Sequence, residues 1–303
     1  MAYSSEQIQL PGGFNARLRT IAQNGLALGM DLSGLNGWLH RRQVARWSPF
    51  IRILNYHDVR PSAAQNFERH LRFYKSRFVP VGRQNLLDLL AGQWKYDRPG
   101  IMLTFDDGLK SQAEVAAPLL EQHGFTGWFF VPTGFIDTPR DQQRNFGQEH
   151  HIVWSRKPNE DLGAMTWDDL RRLDKNQHFI GCHTYTHVRL SSKLTAADLD
   201  REIVQANRVL EQHLGHKVDS FCWVGGEEWS YSAAAARTIR EAGYRLSFMN
   251  SRSVIRPGNS LLQLHRNCVE AHEPLWYVRY VISGFRDAYF AAMRKRVNAL
   301  TAE

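Results

Sequence analysis

A parallel α/β barrel is the fold this sequence predicts, and three observations carry the prediction. Short apolar runs alternate with helical segments from residue 51 onward. The connections between runs are long enough to hold helices, which favours parallel pairing. Some seven or eight such units fall in about 250 residues, which suits closure into a barrel better than an open sheet. In that architecture reactive groups collect where strands end and loops begin.

Composition sets the bounds. A chain of 303 residues that is 43% hydrophobic can bury a substantial core without disulfides or a structural metal. Its 22 Gly and 11 Pro are too few for a collagen-like or low-complexity chain, and 9 Trp, 10 Tyr and 16 Phe argue against disorder. No apolar run approaches the ~20 residues of a membrane span. The formal charge of +8 suits an anionic partner or ordinary solubility. No helix-turn-helix, zinc-finger or RNA-binding signature accompanies it, so nucleic acid is not the expected partner. Cys182, Cys222 and Cys268 lack CxxC spacing and read as free thiols of a reducing compartment. The first twenty residues show no charged segment followed by an apolar core, so a cytoplasmic location, peripheral to the membrane if attached at all, is expected.

Residues 1–50 read as a basic, glycine-containing N-terminal extension. Gly12, Gly13, Gly25, Gly29, Gly34 and Gly37 interrupt its apolar residues, so no long stable helix is expected there. Within it, 39–47 (LHRRQVARW) mixes Arg41, Arg42 and Arg46 with apolar residues. This piece either lies on an anionic membrane or is a helix packing on the domain with its arginines in water, the reading that base rates favour.

Residues 51–303 form the expected barrel and its C-terminal helical region. Strands are expected at 51–56, 101–105, 128–131, 179–182, 220–224, 245–249 and 261–265, because each is a short apolar run. Helices are expected at 67–78, 84–90, 112–123, 166–173, 195–214 and 232–242 from their apolar spacing. Gly124 and Gly243 suit the positions just past two of them. Thr166 is a candidate N-cap with Asp169 at capping-box distance. Residues 134–165 show no clear periodicity and read as a long functional loop. Residues 275–297 read as a helical region broken at Gly284, aromatic and basic enough either to cover the barrel or to touch a membrane.

Two clusters carry chemistry, each after an expected strand. Thr104-Phe105-Asp106-Asp107-Gly108 places adjacent carboxylates at a strand end, where they repel unless a cation intervenes or one is protonated. A helix N-cap is the simpler reading of either Asp alone. His183-Thr184-Tyr185-Thr186-His187 puts two imidazoles at a spacing that can meet one cation. Two histidines and a carboxylate make a ligand set for a divalent metal with open positions.

TFDDG at 104–108, followed by HTYTH at 183–187 after MTWDDLRRL, resembles the polysaccharide deacetylase family (carbohydrate esterase family 4, the NodB homology domain). The likeness runs from about residue 51 to 265, and Asn55-Tyr56-His57 and Ala242-Gly243-Tyr244 also fit it. The resemblance implies a distorted (β/α)7 barrel that removes acetyl groups from N-acetylated sugars with a divalent metal. That metal is expected to be Zn2+, with Co2+, Ni2+ or Mn2+ compatible. It implies Asp106 as the catalytic base and Asp107, His183 and His187 as metal ligands. Leu262-Gln263-Leu264-His265 resembles the late Leu-x-Leu-His motif, which makes His265 the candidate acid. An alternative alignment matches Arg266-Asn267-Cys268-Val269 to the Arg-x-x-Val segment of the biofilm-polysaccharide branch and demotes His265.

The departure lies at 221–231, where many members have Arg-Pro-Pro-Tyr-Gly and this chain has Phe221-Cys222-Trp223-Val224-Gly225-Gly226-Glu227-Glu228-Trp229. The arginine that orients the base is missing there. Gly225 and Gly226 are candidate oxyanion donors, Trp223 and Trp229 candidate sugar platforms, and Arg266 and His57 further candidate substrate contacts. The expected substrate is a nucleotide-linked, lipid-linked or small glycoside carrying an N-acetyl group, with a phosphate suited to the basic balance. The alternative is a carbohydrate-binding pseudoenzyme on the same barrel. The sequence specifies no oligomeric state.

Overall fold

A computed structural model describes the backbone of residues 14–302 and the side chains of 21–302. The signal-peptide reading and Gly12 and Gly13 lie outside the described residues. The strands are β1 (Ile51–Tyr56), β2 (Val79–Pro80), β3 (Gly100–Phe105), β4 (Gly127–Val131), β5 (Phe179–Cys182), β6 (Ser220–Cys222), β7 (Leu246–Met249), β8 (Val254–Ile255), β9 (Leu264–His265) and β10 (Asn267–Cys268). Their main order is β10-β1-β3-β4-β5-β6-β7-β9, with β2 beside β3 and β8 beside β1. Every pairing along that path is parallel.

The two ends of the path are consecutive in the chain. The stretch through β9, Arg266 and β10 pairs with β7 on one side and with β1 on the other. Arg266 N–H donates to Met249 O at 2.7 Å, and Val269 N–H to Asn55 O at 2.9 Å. Counted once, that stretch is the seventh stave of a closed barrel. The barrel is uneven: β5 and β6 share a single register pair, Cys182 with Phe221.

Period-two alternation sorts the strand residues. Ile53, Met102, Trp128, Phe130, Cys222, Phe248 and Leu264 fill the interior. Leu54, Leu103, Phe129, Phe221, Trp223 and Met249 belong to the larger core between barrel and helices. Continuing the interior parity upward reaches Asn55, Thr104, Asp106 and Arg266, all buried. The interior is thus apolar below and polar at the rim.

Three expectations need correction. The N-terminal region forms two helices, α1 (Phe14–Leu32) and α2 (Leu35–Trp47), despite Gly25, Gly29 and Gly37. Each such glycine costs about 1 kcal/mol of helix stability, and docking offsets it. Ala27 and Met30 are buried, Gln23 donates to Tyr277 Oη at 2.8 Å, and Arg279 Nε donates to Asp31 Oδ1 at 2.7 Å. Gln43 of α2 and Asp287 clamp the buried Arg52 guanidinium at 3.0 and 2.8 Å. Residues 134–165 are not all loop, since Thr133–Asp137 and Gln143–His150 are helical. The strand expected over 220–224 stops at Cys222, where the chain leaves the sheet. The capping box at Thr166 and Asp169 is present in both directions.

Candidate metal centre and active site

β3 ends at Phe105, and the chain turns at once. Asp107 and Gly108 both have positive φ, 77° and 62°. That turn swings Asp107 back over the barrel mouth beside Asp106. After β5 the loop is similarly forced, with Thr184 at φ 67° and His187 at φ 60°. Such a conformation costs a non-glycine residue roughly 1–3 kcal/mol, so the surroundings must hold it. Glu202, wholly buried, does so: its carboxylate accepts from Tyr185 N–H at 3.0 Å, Thr186 N–H at 2.8 Å and Thr186 Oγ1 at 2.9 Å.

The result is a convergence of three side chains. His187 Nε2 lies 3.1 Å and His183 Nε2 3.7 Å from Asp107 Oδ1. One ligand atom from each of Asp107, His183 and His187 lies within 4.8 Å of the others. The far nitrogens are engaged: His183 Nδ1–H donates to Cys222 O at 2.8 Å and His187 Nδ1–H to His150 O at 2.7 Å. These bonds fix the tautomer, leaving each Nε2 lone pair aimed at Asp107, the usual outer support of a metal-bound histidine. Burial, ahead of the counter-effect of Asp106, pushes His183 down to about 4, which keeps the ring neutral. The donor set therefore fits a divalent cation, with Asp107, His183 and His187 as its holders.

Asp106 lies beside this group, with Oδ2 3.9 Å from His183 Nε2. Arg266, fully buried, donates Nη1 to Oδ1 and Nη2 to Oδ2, both at 2.7 Å. Asn55 Nδ2 adds a bond to Oδ2 at 3.0 Å. Burial raises the Asp106 carboxyl, but Arg266 foremost, with His183 and His57, outweighs it and holds it well below the carboxylate range. Arg266 Nη1 also reaches Asn55 Oδ1 and Thr104 Oγ1 at 3.1 Å, and Nη2 reaches Cys222 Sγ at 2.9 Å. The arginine absent from 221–231 is thus replaced in space from the closing stave. Buried and bonded to both Asp106 oxygens, Arg266 does not line the cleft, which corrects its expected place among the substrate contacts.

His57 continues the interior parity of β1 to the cleft. Its Nδ1 sits 2.7 Å from Glu270 Oε1. Burial favours loss of its proton, yet Glu270 foremost, with Asp107 and Asp106, holds its pKa well above the ordinary histidine value. The ring thus stands between Glu270 and the Asp106–Asp107 pair, where the sequence suggests only a substrate contact.

A cleft of about 700 Å³ opens over these groups. Residues from 147 to 156 form one wall, pinned where Asp58 accepts from Ser111 Oγ at 2.7 Å and Ser155 N–H at 2.9 Å. Arg189, Gly225, Trp229 and Asn250 line the other side. Trp229 is 60% exposed, with the Arg189 guanidinium 5.5 Å from its ring centre.

Three expected site residues stand elsewhere. His265 has the opposite parity to Arg266; it is buried away from the cleft near Arg294 and Asn298, and burial lowers it to about 4. That position does not suit a proton donor to the substrate. Trp223 is core, its Nε1 donating to Ser247 Oγ at 2.8 Å and its ring packed on Tyr231. Gly226 N–H already donates to Glu227 Oε2 at 3.1 Å, which removes it as an oxyanion donor. Gly225 does line the cleft, at φ 82°. The alternation through 264–268 was the signal for both His265 and Arg266.

Solved structures share this fold. A Streptococcus pyogenes deacetylase, PplD, determined with acetate, superposes with a TM-score of 0.59 at 16% identity, over 77% of this chain and 98% of that one. The deacetylase domain of BpsB from Bordetella bronchiseptica gives 0.57 at 20% identity, over 73% and 96%. IcaB from Ammonifex degensii gives 0.57 at 20% identity, over 78% and 98%. Among curated proteins a Bacillus gellan lyase is 22% identical over 213 residues, 64% of this chain; the chain spans only 8% of that protein's length. The polysaccharide deacetylase family itself matches residues 95–247, half of the chain and the part that holds Asp106, Asp107, His183 and His187, and the protein belongs to that family.

Proposed function

We propose that this protein hydrolyses the acetamide of an N-acetylated amino sugar, releasing acetate and the free amine. The observation that carries the reading is the side-by-side arrangement of a divalent-cation ligand set and a carboxylate held anionic by Arg266. A divalent cation held by Asp107, His183 and His187 would supply Lewis acidity and a more acidic water. Zn2+ suits two imidazoles and a carboxylate, and Co2+, Ni2+ and Mn2+ are compatible.

The chain's own groups do the rest. Asp106, locked in one orientation by the Arg266 fork, accepts the proton of the attacking water. His57, kept protonated by Glu270, delivers a proton to the departing nitrogen, which leaves poorly as an anion. Gly225 at the cleft wall is the remaining backbone candidate near the developing oxyanion. Trp229 offers an apolar face to a sugar ring at the mouth.

The pseudoenzyme reading gains nothing from the altered 221–231 segment, because Arg266 restores what that segment lacks. The test is acetate release from free, lipid-linked and nucleotide-linked N-acetyl sugars by the metal-loaded protein and its Asp106→Asn variant. Release by the parent, with loss of most turnover but not of metal in the variant, supports the proposal. Metal uptake with no acetate from any substrate overturns it.

A further inference from the structure

The outer surface of the N-terminal helix pair has an unusual polarity. In α1 the buried side is fixed by Ala27 and Met30 and by the bonds of Gln23 and Asp31 to the helix at Leu275–Ile282. The opposite side carries Ile21, Leu28 and Leu32, one stripe at helical spacing, exposed by 67%, 39% and 80%. In α2 the buried side holds Asn36 and Gln43, while Leu35 and Trp38 face outward, 39% and 47% exposed. Gln23, Asp31, Asn36 and Gln43 turn inward beside Ala27 and Met30, while Ile21, Leu28, Leu32, Leu35 and Trp38 stay exposed, more large apolar surface than a water-facing side normally carries. Aligned apolar side chains of this size mark an interaction surface.

Charge identifies the partner. Between residues 14 and 47 the sequence has five arginines, one aspartate and neither lysine nor glutamate. The aspartate, Asp31, is held by Arg279. Arg41, Arg42 and Arg46 are exposed, and the Arg42 guanidinium stands 5.3 Å from the Trp38 ring centre. Leu, Ile and Trp bordered by unopposed arginines suit the headgroup layer of an anionic bilayer: the apolar side chains sink below the phosphates and the guanidiniums meet them. A second copy would bring its own arginines against these, since a two-fold contact uses the same patch twice. No described helix is long and apolar enough to cross a membrane, so the contact is peripheral.

We infer that α1 and α2 dock the protein on an anionic lipid surface. Cosedimentation with vesicles of phosphatidylcholine alone, and of phosphatidylcholine with about one-third phosphatidylglycerol, tests this. Binding roughly tenfold stronger to the anionic vesicles, weakened by salt, is expected. Leu28→Glu with Leu32→Glu, and Arg41→Gln with Arg42→Gln, should each reduce it. Both pairs are exposed and remote from the cleft, so acetate release from a soluble substrate and the melting temperature should stay unchanged. Equal binding to both vesicle types, or none, overturns the inference. So does a dimer in light scattering that Leu32→Glu makes monomeric, because a second copy then covers the patch.

Discussion

Arg266 grips Asp106 with both terminal nitrogens, each 2.7 Å from a carboxylate oxygen, and both side chains are buried. The pairing joins the end of β3 to the closing stave, so the proposed base and the group that holds it come from parts of the chain 160 residues apart. Removing one partner of a buried pair leaves the other uncompensated, at a cost of about 3–5 kcal/mol. Arg266→Ala should therefore lower the melting temperature and abolish turnover. Arg266→Lys keeps the charge but not the fork; it should remain folded, with kcat reduced about 100-fold and substrate affinity little changed. Wild-type kcat in Arg266→Lys would show that the bidentate geometry is irrelevant to the reaction.

His57 and His265 give opposite expectations. His57→Asn should cut kcat by roughly 100-fold or more, the scale of a lost general acid. Glu270→Gln should do part of the same by lowering the pKa of the ring. A substrate whose leaving group departs without a proton, such as an aryl acetate, should largely escape the defect. His265→Asn should leave kcat within about twofold, since the side chain lies beneath a helix. If His265→Asn were the slow variant and His57→Asn the normal one, the acid assignment would be reversed.

The strands were legible because a barrel stave buried on both sides leaves a near-continuous apolar run, as in IMLTF and FIGC, and those runs coincide with β3 and β5. The clusters at 104–108 and 183–187 were legible because they follow such runs. Harder to see was which neighbour in a two-residue strand faces inward. His265 and Arg266 exchange roles on that parity, and only the closure between β7 and β1 brings Arg266 to Asp106. Helix α1 was hidden for another reason: glycine propensity spoke against it, while the docking that stabilises it involves Tyr277 and Arg279, far along the chain. The 39–47 piece of α2 does pack on the domain as a helix with its arginines exposed, the reading the sequence favours. The helix at Gln143–His150 has too few apolar residues to show a period.

Glu202 supports the His183–His187 loop without touching the cleft. Three bonds it accepts from Tyr185 and Thr186 hold a segment with two positive-φ residues, Thr184 and His187. Glu202→Gln keeps the shape but weakens acceptance from two backbone donors. Metal affinity, measured by chelator competition, should fall by about 10- to 100-fold, the range for lost outer support. Restoring turnover at saturating metal would separate this loosening from damage to the base. Unchanged affinity in Glu202→Ala would mean that the loop holds its own conformation.

Trp229 tests whether the cleft recognises more than the reacting acetamide. Its ring is exposed, and Arg189 beside it is tied to Glu227 at 3.3 Å, so the platform is set before substrate arrives. Trp229→Ala should raise KM for an oligosaccharide about tenfold and leave kcat near its parent value, the pattern of lost uniform binding. A monosaccharide too short to reach the ring should show no change. Equal loss on both substrates would place Trp229 in shaping the site rather than in gripping a neighbouring sugar.

Three histidines away from the metal group tie stability to pH. Burial pushes His40, His70 and His265 down to about 4, assisted at His40 by Arg52 and Arg77 and at His265 by Arg294, and opposed at His70 by its bond to Glu273 O. An unfolded histidine takes a proton near its ordinary value of 6.5, whereas these folded ones wait until about 4. Within that window the unfolded chain binds more protons, so acidification favours it. Above the window neither state changes charge at these positions, and their effect is constant. Melting temperatures taken in steps from neutral to mildly acidic pH should hold steady and then fall steeply below about 6.5. His70→Gln, which removes one of the three titrations, should flatten that fall although it weakens the protein at neutral pH. A melting temperature flat across the window in the parent chain would mean that these rings are already open to solvent protons.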